Sequence, residues 1–161
     1  MAINLIKHIN LMKSERYISS IIFGEANCGK TGYLIKFKSK NKEFKLKYFD
    51  ILEELGNLED KTKVILFLPK SYLEYLHTLI KKESSSEFDA FILDNLDIVL
   101  NRWGDPNTEE FIKKVQLLDK TFCPKPIIFC LQTNKTLEHL NQVENNSSIP
   151  KLLNYTELET I

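Results

Sequence analysis

Apolar residues in this chain fall into short continuous runs and longer periodic stretches, and the order in which the two alternate lays out a fold. Ile18-Ser19-Ser20-Ile21-Ile22-Phe23, Phe88-Asp89-Ala90-Phe91-Ile92-Leu93-Asp94 and Pro126-Ile127-Ile128-Phe129-Cys130-Leu131 are short and mostly apolar, as strands covered on both faces require. Val64-Ile65-Leu66-Phe67-Leu68, bounded by Lys63 and Pro69, reads the same way. Residues 44–49 alternate instead, Phe44, Leu46 and Tyr48 against Lys45 and Lys47, which predicts a strand with one wetter face. Helical spacing of Ile3, Ile6, Ile9 and Met12 predicts an amphipathic helix over 2–14. Further helices are predicted from Lys30 to about Lys38, as a turn over 50–56 ending at Gly56, and through Tyr72, Leu76 and Ile80 to the polar run at 83–86. Two more follow, through Phe111, Ile112, Val115 and Leu118 and near 136–144; Leu152-Leu153-Asn154-Tyr155 then forms a last strand or a docked tail. Buried strands alternating with helices predict an α/β fold of three layers, a mostly parallel sheet of about five strands flanked by helices.

Length and charge narrow this picture. With 161 residues the chain predicts one domain over 1–161, its N-terminal helix within 1–15 and its C-terminal strand or tail within 145–161. The formal net charge is zero, so no global field draws the protein to nucleic acid or to a membrane. Residues 1–80 carry 13 basic and 9 acidic side chains and residues 81–161 the reverse, which suits either head-to-tail homo-oligomers or plainly solvated charge. Cys28, Cys123 and Cys130 have no metal-type or disulfide spacing, and no apolar run approaches the ~20 residues of a membrane span; the expectation is a reduced cytoplasm without membrane contact. Only Arg16 and Arg102 are arginine, so any role needing a guanidinium falls on one of two positions.

Chemistry concentrates after the first buried run. Gly24-Glu25-Ala26-Asn27-Cys28-Gly29-Lys30-Thr31 fits G-x-x-x-x-G-K-[ST], and three of the chain's 5 glycines, Gly24, Gly29 and Gly32, fall in this short stretch. Such spacing lets backbone N–H groups and a helix N-terminus wrap a phosphate, while Lys30 reaches the β/γ-phosphates and Thr31 ligates Mg²⁺. A second motif is Ala90-Phe91-Ile92-Leu93-Asp94, an apolar strand ending in the carboxylate expected to hold Mg²⁺ with Thr31. Asn95 follows, where a Glu would polarise water, and an amide cannot take its proton. Asp97 is therefore either a substitute base or a helix N-terminal charge. Gln132-Thr133-Asn134 end the third buried run and suit either sensing of a γ-phosphate, if that strand lies between the other two, or a polar turn. Arg102, beside the only Trp, Trp103, suits transition-state charge across a subunit contact or a surface loop packed through Trp103. Lys36, Lys38, Lys40, Lys42, Lys45 and Lys47, opposed only by Glu43, form either a solvated face or a track for nonspecific DNA phosphate contact. His8, His77 and His139 have no ligand spacing, and no zinc is expected.

Taken together, the loop at 24–31, the strand ending at Asp94 and the tip Gln132–Asn134 resemble the additional-strand branch of P-loop NTPases, which includes the AAA+ proteins. The Asp94-Asn95-Leu96-Asp97 segment, the short first helix and the ending Leu153-Asn154-Tyr155-Thr156-Glu157-Leu158 are similar to the BrxF family, the small P-loop proteins of type 3 BREX phage-defence systems. The resemblance implies a bacterial cytoplasmic ATPase using ATP and Mg²⁺ and working with other defence-system proteins. A ring motor is not expected, since no Arg lies in 135–150 and 151–161 leaves no room for a helical lid. The expectation is ATP binding with slow or partner-assisted hydrolysis, the alternative a nucleotide-gated adaptor without catalysis. A small-molecule kinase would need an Arg-bearing lid that this composition disfavours.

Overall fold

The computed structural model describes residues 2–83, 87–143 and 151–161, so the polar stretches 84–86 and 144–150 lie outside the described residues. Five strands form one all-parallel sheet: β1 (Ser19–Gly24), β2 (Leu46–Asp50), β3 (Ala90–Asp94), β4 (Ile127–Gln132) and β5 (Leu152–Asn154), in the order β2-β3-β4-β1-β5. Eight helices accompany it among the described residues: α1 (Leu5–Met12), α2 (Lys30–Lys40), α3 (Ile51–Gly56), α4 (Thr62–Leu66), α5 (Pro69–Lys82), α6 (Asp97–Leu100), α7 (Asp105–Gln116) and α8 (Lys135–Val143). None is long and apolar enough to cross a membrane.

The two-residue period of the strands sorts the core into two layers. Ile21, Phe23, Phe91, Leu93, Ile127, Phe129 and Leu131 face a cluster completed by α3, α5, α6, α7 and α8. Ile22, Ala90, Ile92, Ile128 and Cys130 face the other, completed by Leu5, Ile9 and Met12 of α1 and Leu34 and Phe37 of α2. β1, β3 and β4 are buried along nearly their whole length, which is why their sequences show no polar alternation. Residues 152–154 resolve as both alternatives at once: a short strand beside β1, followed by a 3₁₀ turn at Tyr155–Glu157 that the N-terminal segment holds through Ile3 N–H to Glu157 O (2.7 Å) and Glu159 N–H to Ile3 O (3.0 Å).

One expected strand is absent from the sheet. Residues 64–68 lie in and just after the short helix α4, with Ile65 64%, Leu66 73% and Leu68 57% exposed. Asp60 explains the turn, because its Oδ1 accepts from the Thr62 N–H (3.1 Å) and starts helical backbone, while Pro69 opens α5 at once and offers no N–H to a ladder. Both sides of β3 are already taken by β2 and β4. Only Val64 and Phe67 reach inward, the Phe67 ring packing 5.3 Å from Tyr72 and 5.2 Å from Tyr75. The helix predicted through Phe111 also begins earlier than its apolar period, since Gly104 and Pro106 set the start of α7 before the first buried residue, Phe111.

Candidate functional site

Parallel strands bring their C-terminal ends to one edge, where a crevice opens. Here Gly24 lies level with Gln132 and Asp50 with Asp94, and β4 sits between β1 and β3, the placement required for its tip to face the loop.

The chain leaves β1 at Gly24 and turns back through two left-handed residues, Asn27 (φ 59°) and Gly29 (φ 99°). Gly29 then heads α2, whose first turn has no capping side chain, so its N–H groups carry the helix's positive end toward the crevice. Lys30 is buried, and its Nζ donates to the carbonyls of Gly24 (3.0 Å) and Glu25 (2.9 Å) while lying 3.4 Å from Cys28 Sγ. The ammonium is thus held inside the loop by groups that a bound phosphate could replace.

Asp94 is the hub opposite. Its Oδ2 accepts from Thr31 Oγ1 (2.6 Å) and Tyr48 Oη (2.7 Å), and its Oδ1 from the Asn95 N–H (2.8 Å). Burial and then the bond to Asp94 push the Tyr48 phenol far above its ordinary value, so it remains a donor. Tyr48 is a site residue that sequence reasoning missed; it was read only as the apolar face of a strand.

Asn95 adopts φ 60°, and its Nδ2 donates to Asp50 Oδ1 (2.9 Å), which also caps α3 through the Leu52 N–H (3.1 Å). Asp97 is buried, and both its oxygens accept from the Gln132 N–H (3.0 and 3.1 Å). Burial raises its carboxyl from the ordinary 3.8 to about 6, against the opposing pull of the Gln132 N–H and Lys30. Asp97 therefore ties the tip of β4 to the turn after β3. A cavity of about 320 Å³ is lined by residues 27–31 together with Asp94, Asn95, Asp97 and Gln132.

Other expected site residues lie elsewhere. Asn134 caps α8, its Oδ1 accepting from the Leu137 N–H (2.9 Å), and the Thr133 N–H donates to Gly24 O (2.9 Å); of the three tip residues, Gln132 lines the cavity. Arg102 is exposed after α6 and outside the cavity lining. Its neighbour Trp103 donates Nε1–H to Phe67 O (2.8 Å) and packs edge-on at 5.9 Å against Tyr72, so this segment is a loop anchored by its Trp. Glu25 and Ala26 form the exposed crest of the loop. Lys36, Lys38, Lys40, Lys42 and Lys45 are exposed, whereas Lys47 pairs with Glu83 at 3.7 Å.

For a divalent cation the donor set is a hydroxyl and a carboxylate in contact, Thr31 and Asp94. Among the described residues no group of three His, Cys, Asp or Glu is close enough together to hold a metal ion. Two hard oxygen donors suit Mg²⁺, which keeps most of its shell as water and phosphate oxygens. No protein-family model and no curated protein matches the sequence.

Proposed function

We propose that the crevice at residues 24–31 binds the triphosphate of ATP with Mg²⁺. The observation that carries this reading is the 2.6 Å hydrogen bond from Thr31 to Asp94, which joins side chains 63 residues apart at the open end of a parallel sheet. A chance match to a loop pattern gives no reason for that contact. In this reading Lys30 exchanges the Gly24 and Glu25 carbonyls for phosphate oxygens, the first turn of α2 faces the same anion, and Thr31 and Asp94 hold the cation. Mg²⁺, when bound, supplies neutralisation of phosphate charge. Tyr48 and the Asn95 N–H keep Asp94 oriented.

Hydrolysis in this site is slow or completed by a partner. Asn95 has no basic lone pair for a water proton, and its amide is committed to Asp50. The other carboxylate in the cavity, Asp97, is engaged by Gln132. These two contacts equally favour a second reading, a nucleotide-gated adaptor. From the resemblance to the BrxF family we further propose a cytoplasmic subunit of an anti-phage complex that assembles with other defence proteins or with its own copies, with nonspecific DNA contact along Lys36–Lys45.

Phosphate release by the purified chain, alone and together with the proteins encoded beside it and DNA, separates the two readings. Release that disappears in Lys30→Ala supports an ATPase, and none above the Lys30→Ala background supports the adaptor. Asp94→Asn should remove the Mg²⁺ dependence of ATP affinity; a retained dependence would exclude Asp94 as a cation ligand.

A further inference from the structure

A parallel sheet has two edges, and the one opposite the crevice carries a charge pattern of its own. Four of the five strands are entered from a cation: Lys45 stands one residue before β2, Lys125 two before β4, Arg16 three before β1 and Lys151 one before β5. In the order β2-β3-β4-β1-β5 these positions follow one another across the sheet, interrupted at β3 by Asp89. At about 4.8 Å per strand the row spans about 19 Å. Helix α2 runs back from the end of β1 to the start of β2, so Lys40 and Lys42 arrive at the same edge beside Lys45.

Side-chain contacts hold the row in place. Lys13, just past the end of α1, reaches Asp89 Oδ1 (3.2 Å) and lies 5.3 Å from the centroid of the Phe44 ring, while the Lys45 N–H donates to Asp89 Oδ2 (2.9 Å). Against the cost of burial, the Lys45 N–H, then Lys13 and Lys125, hold the Asp89 carboxyl below its ordinary value, so the one acid in the row is matched by its neighbours. Arg16 lies 5.2 Å and Lys151 4.4 Å from the centroid of the Tyr17 ring. A cation resting on a ring is already ordered and gives up less freedom when an anion arrives. Of the other acids in the segments that enter the strands, Asp119 accepts from the Thr121 N–H (2.9 Å) and hydroxyl (2.6 Å), and Glu15, Glu43 and Glu87 complete the set.

We infer that this strand-start edge is a docking surface for the sugar–phosphate backbone of a nucleic acid, which crosses Lys45, Lys125 and Arg16 at the end of the molecule away from the crevice. The inference takes up the DNA contact proposed above, carries it from α2 across the whole sheet, and stands whether or not residues 24–31 bind ATP. Both rings lie under cations, so among the described residues the edge offers spaced charge in place of an open apolar anchor. A repeating polyanion needs only that, whereas a protein partner is held by buried anchors.

Fluorescence anisotropy of a labelled single strand and of a duplex of equal length, each titrated between about 50 and 200 mM salt, tests the assignment. Arg16→Gln combined with Lys125→Gln should lower the log–log salt slope by about 1.4 to 1.8, at about 0.7 per contact for a single strand and 0.9 for a duplex, and weaken binding more than about tenfold. Lys61→Gln combined with Lys63→Gln removes the same charge from exposed positions at the start of α4 and should change neither quantity. Lys30→Ala should also leave DNA binding intact. An unchanged slope in the Arg16/Lys125 variant, or an equal loss in the Lys61/Lys63 variant, would overturn the edge as the contact surface. Loss of DNA binding in Lys30→Ala would place the backbone in the loop instead, and displacement by polyglutamate as effective as by unlabelled DNA of equal charge would give the edge to an acidic protein chain. No binding of either probe by the unaltered chain would end the proposal and leave the ATP reading untouched.

Discussion

Replacing Asp97 by Asn probes how the site stores charge. Asp97 is only 9% exposed, and folding raises its carboxyl from 3.8 to about 6. A carboxyl whose value is raised by folding stabilises the native state at low pH, where it is protonated, and loses that contribution as pH rises through about 6. The rise from 3.8 to about 6 corresponds to about 3 kcal/mol in full, of which about 2 kcal/mol is lost between pH 4 and pH 8. Asn keeps an oxygen to accept the Gln132 N–H but carries no charge to desolvate. Urea unfolding of the native chain and of Asp97→Asn across this range should therefore show the variant gaining about 2 kcal/mol relative to the native chain from pH 4 to pH 8. A difference independent of pH, or one of opposite slope, would mean that Lys30 and Gln132 compensate the charge fully and that burial does not govern Asp97.

Two further outcomes test the fold and the cationic face. Leu66→Lys should change stability by less than about 0.5 kcal/mol because Leu66 is 73% exposed, whereas Phe129→Ala, at a fully buried β4 position, should cost about 3 to 5 kcal/mol in the same unfolding assay. A large cost at Leu66 would return residues 64–68 to the core. Replacing Lys38, Lys40, Lys42 and Lys45 together should flatten the log–log salt dependence of any DNA binding by about 3 to 4, near 0.9 per phosphate contact. An unchanged slope would remove these lysines from the DNA proposal.

The three central strands were legible because burial on both faces leaves no room for polar alternation, and β1, β3 and β4 have nearly none. The same pattern misled at 64–68. An apolar run alone does not say which of its residues are covered, and here only Val64 and Phe67 reach the core, the Phe67 ring against Tyr72 and Tyr75, while Ile65, Leu66 and Leu68 stay outside. The sheet position beside β3 is filled by β2, which the sequence predicts as a strand with one wetter face. At the site, the loop and Asp94 follow from local spacing, since their geometry depends on consecutive residues. Tyr48 does not: its hydroxyl reaches Asp94 only because β2 and β3 pair with Asp50 level with Asp94. Asp97 and Gln132 were each named, yet their pairing depends on β4 lying beside β3, and that strand order is a tertiary fact. Asn134 illustrates the converse, a polar side chain at a strand end that serves the next helix.

The central claim is that the crevice headed by Gly29 and Lys30 is a triphosphate site, and calorimetry of Mg²⁺-ATP binding to the native chain and to Lys30→Ala tests it most directly. The account predicts saturable one-to-one binding that weakens at least tenfold in Lys30→Ala, the least expected from losing a charged hydrogen-bond donor to phosphate, while the variant remains folded by circular dichroism. Equal affinity in the two proteins, or no binding to the native chain, would contradict it.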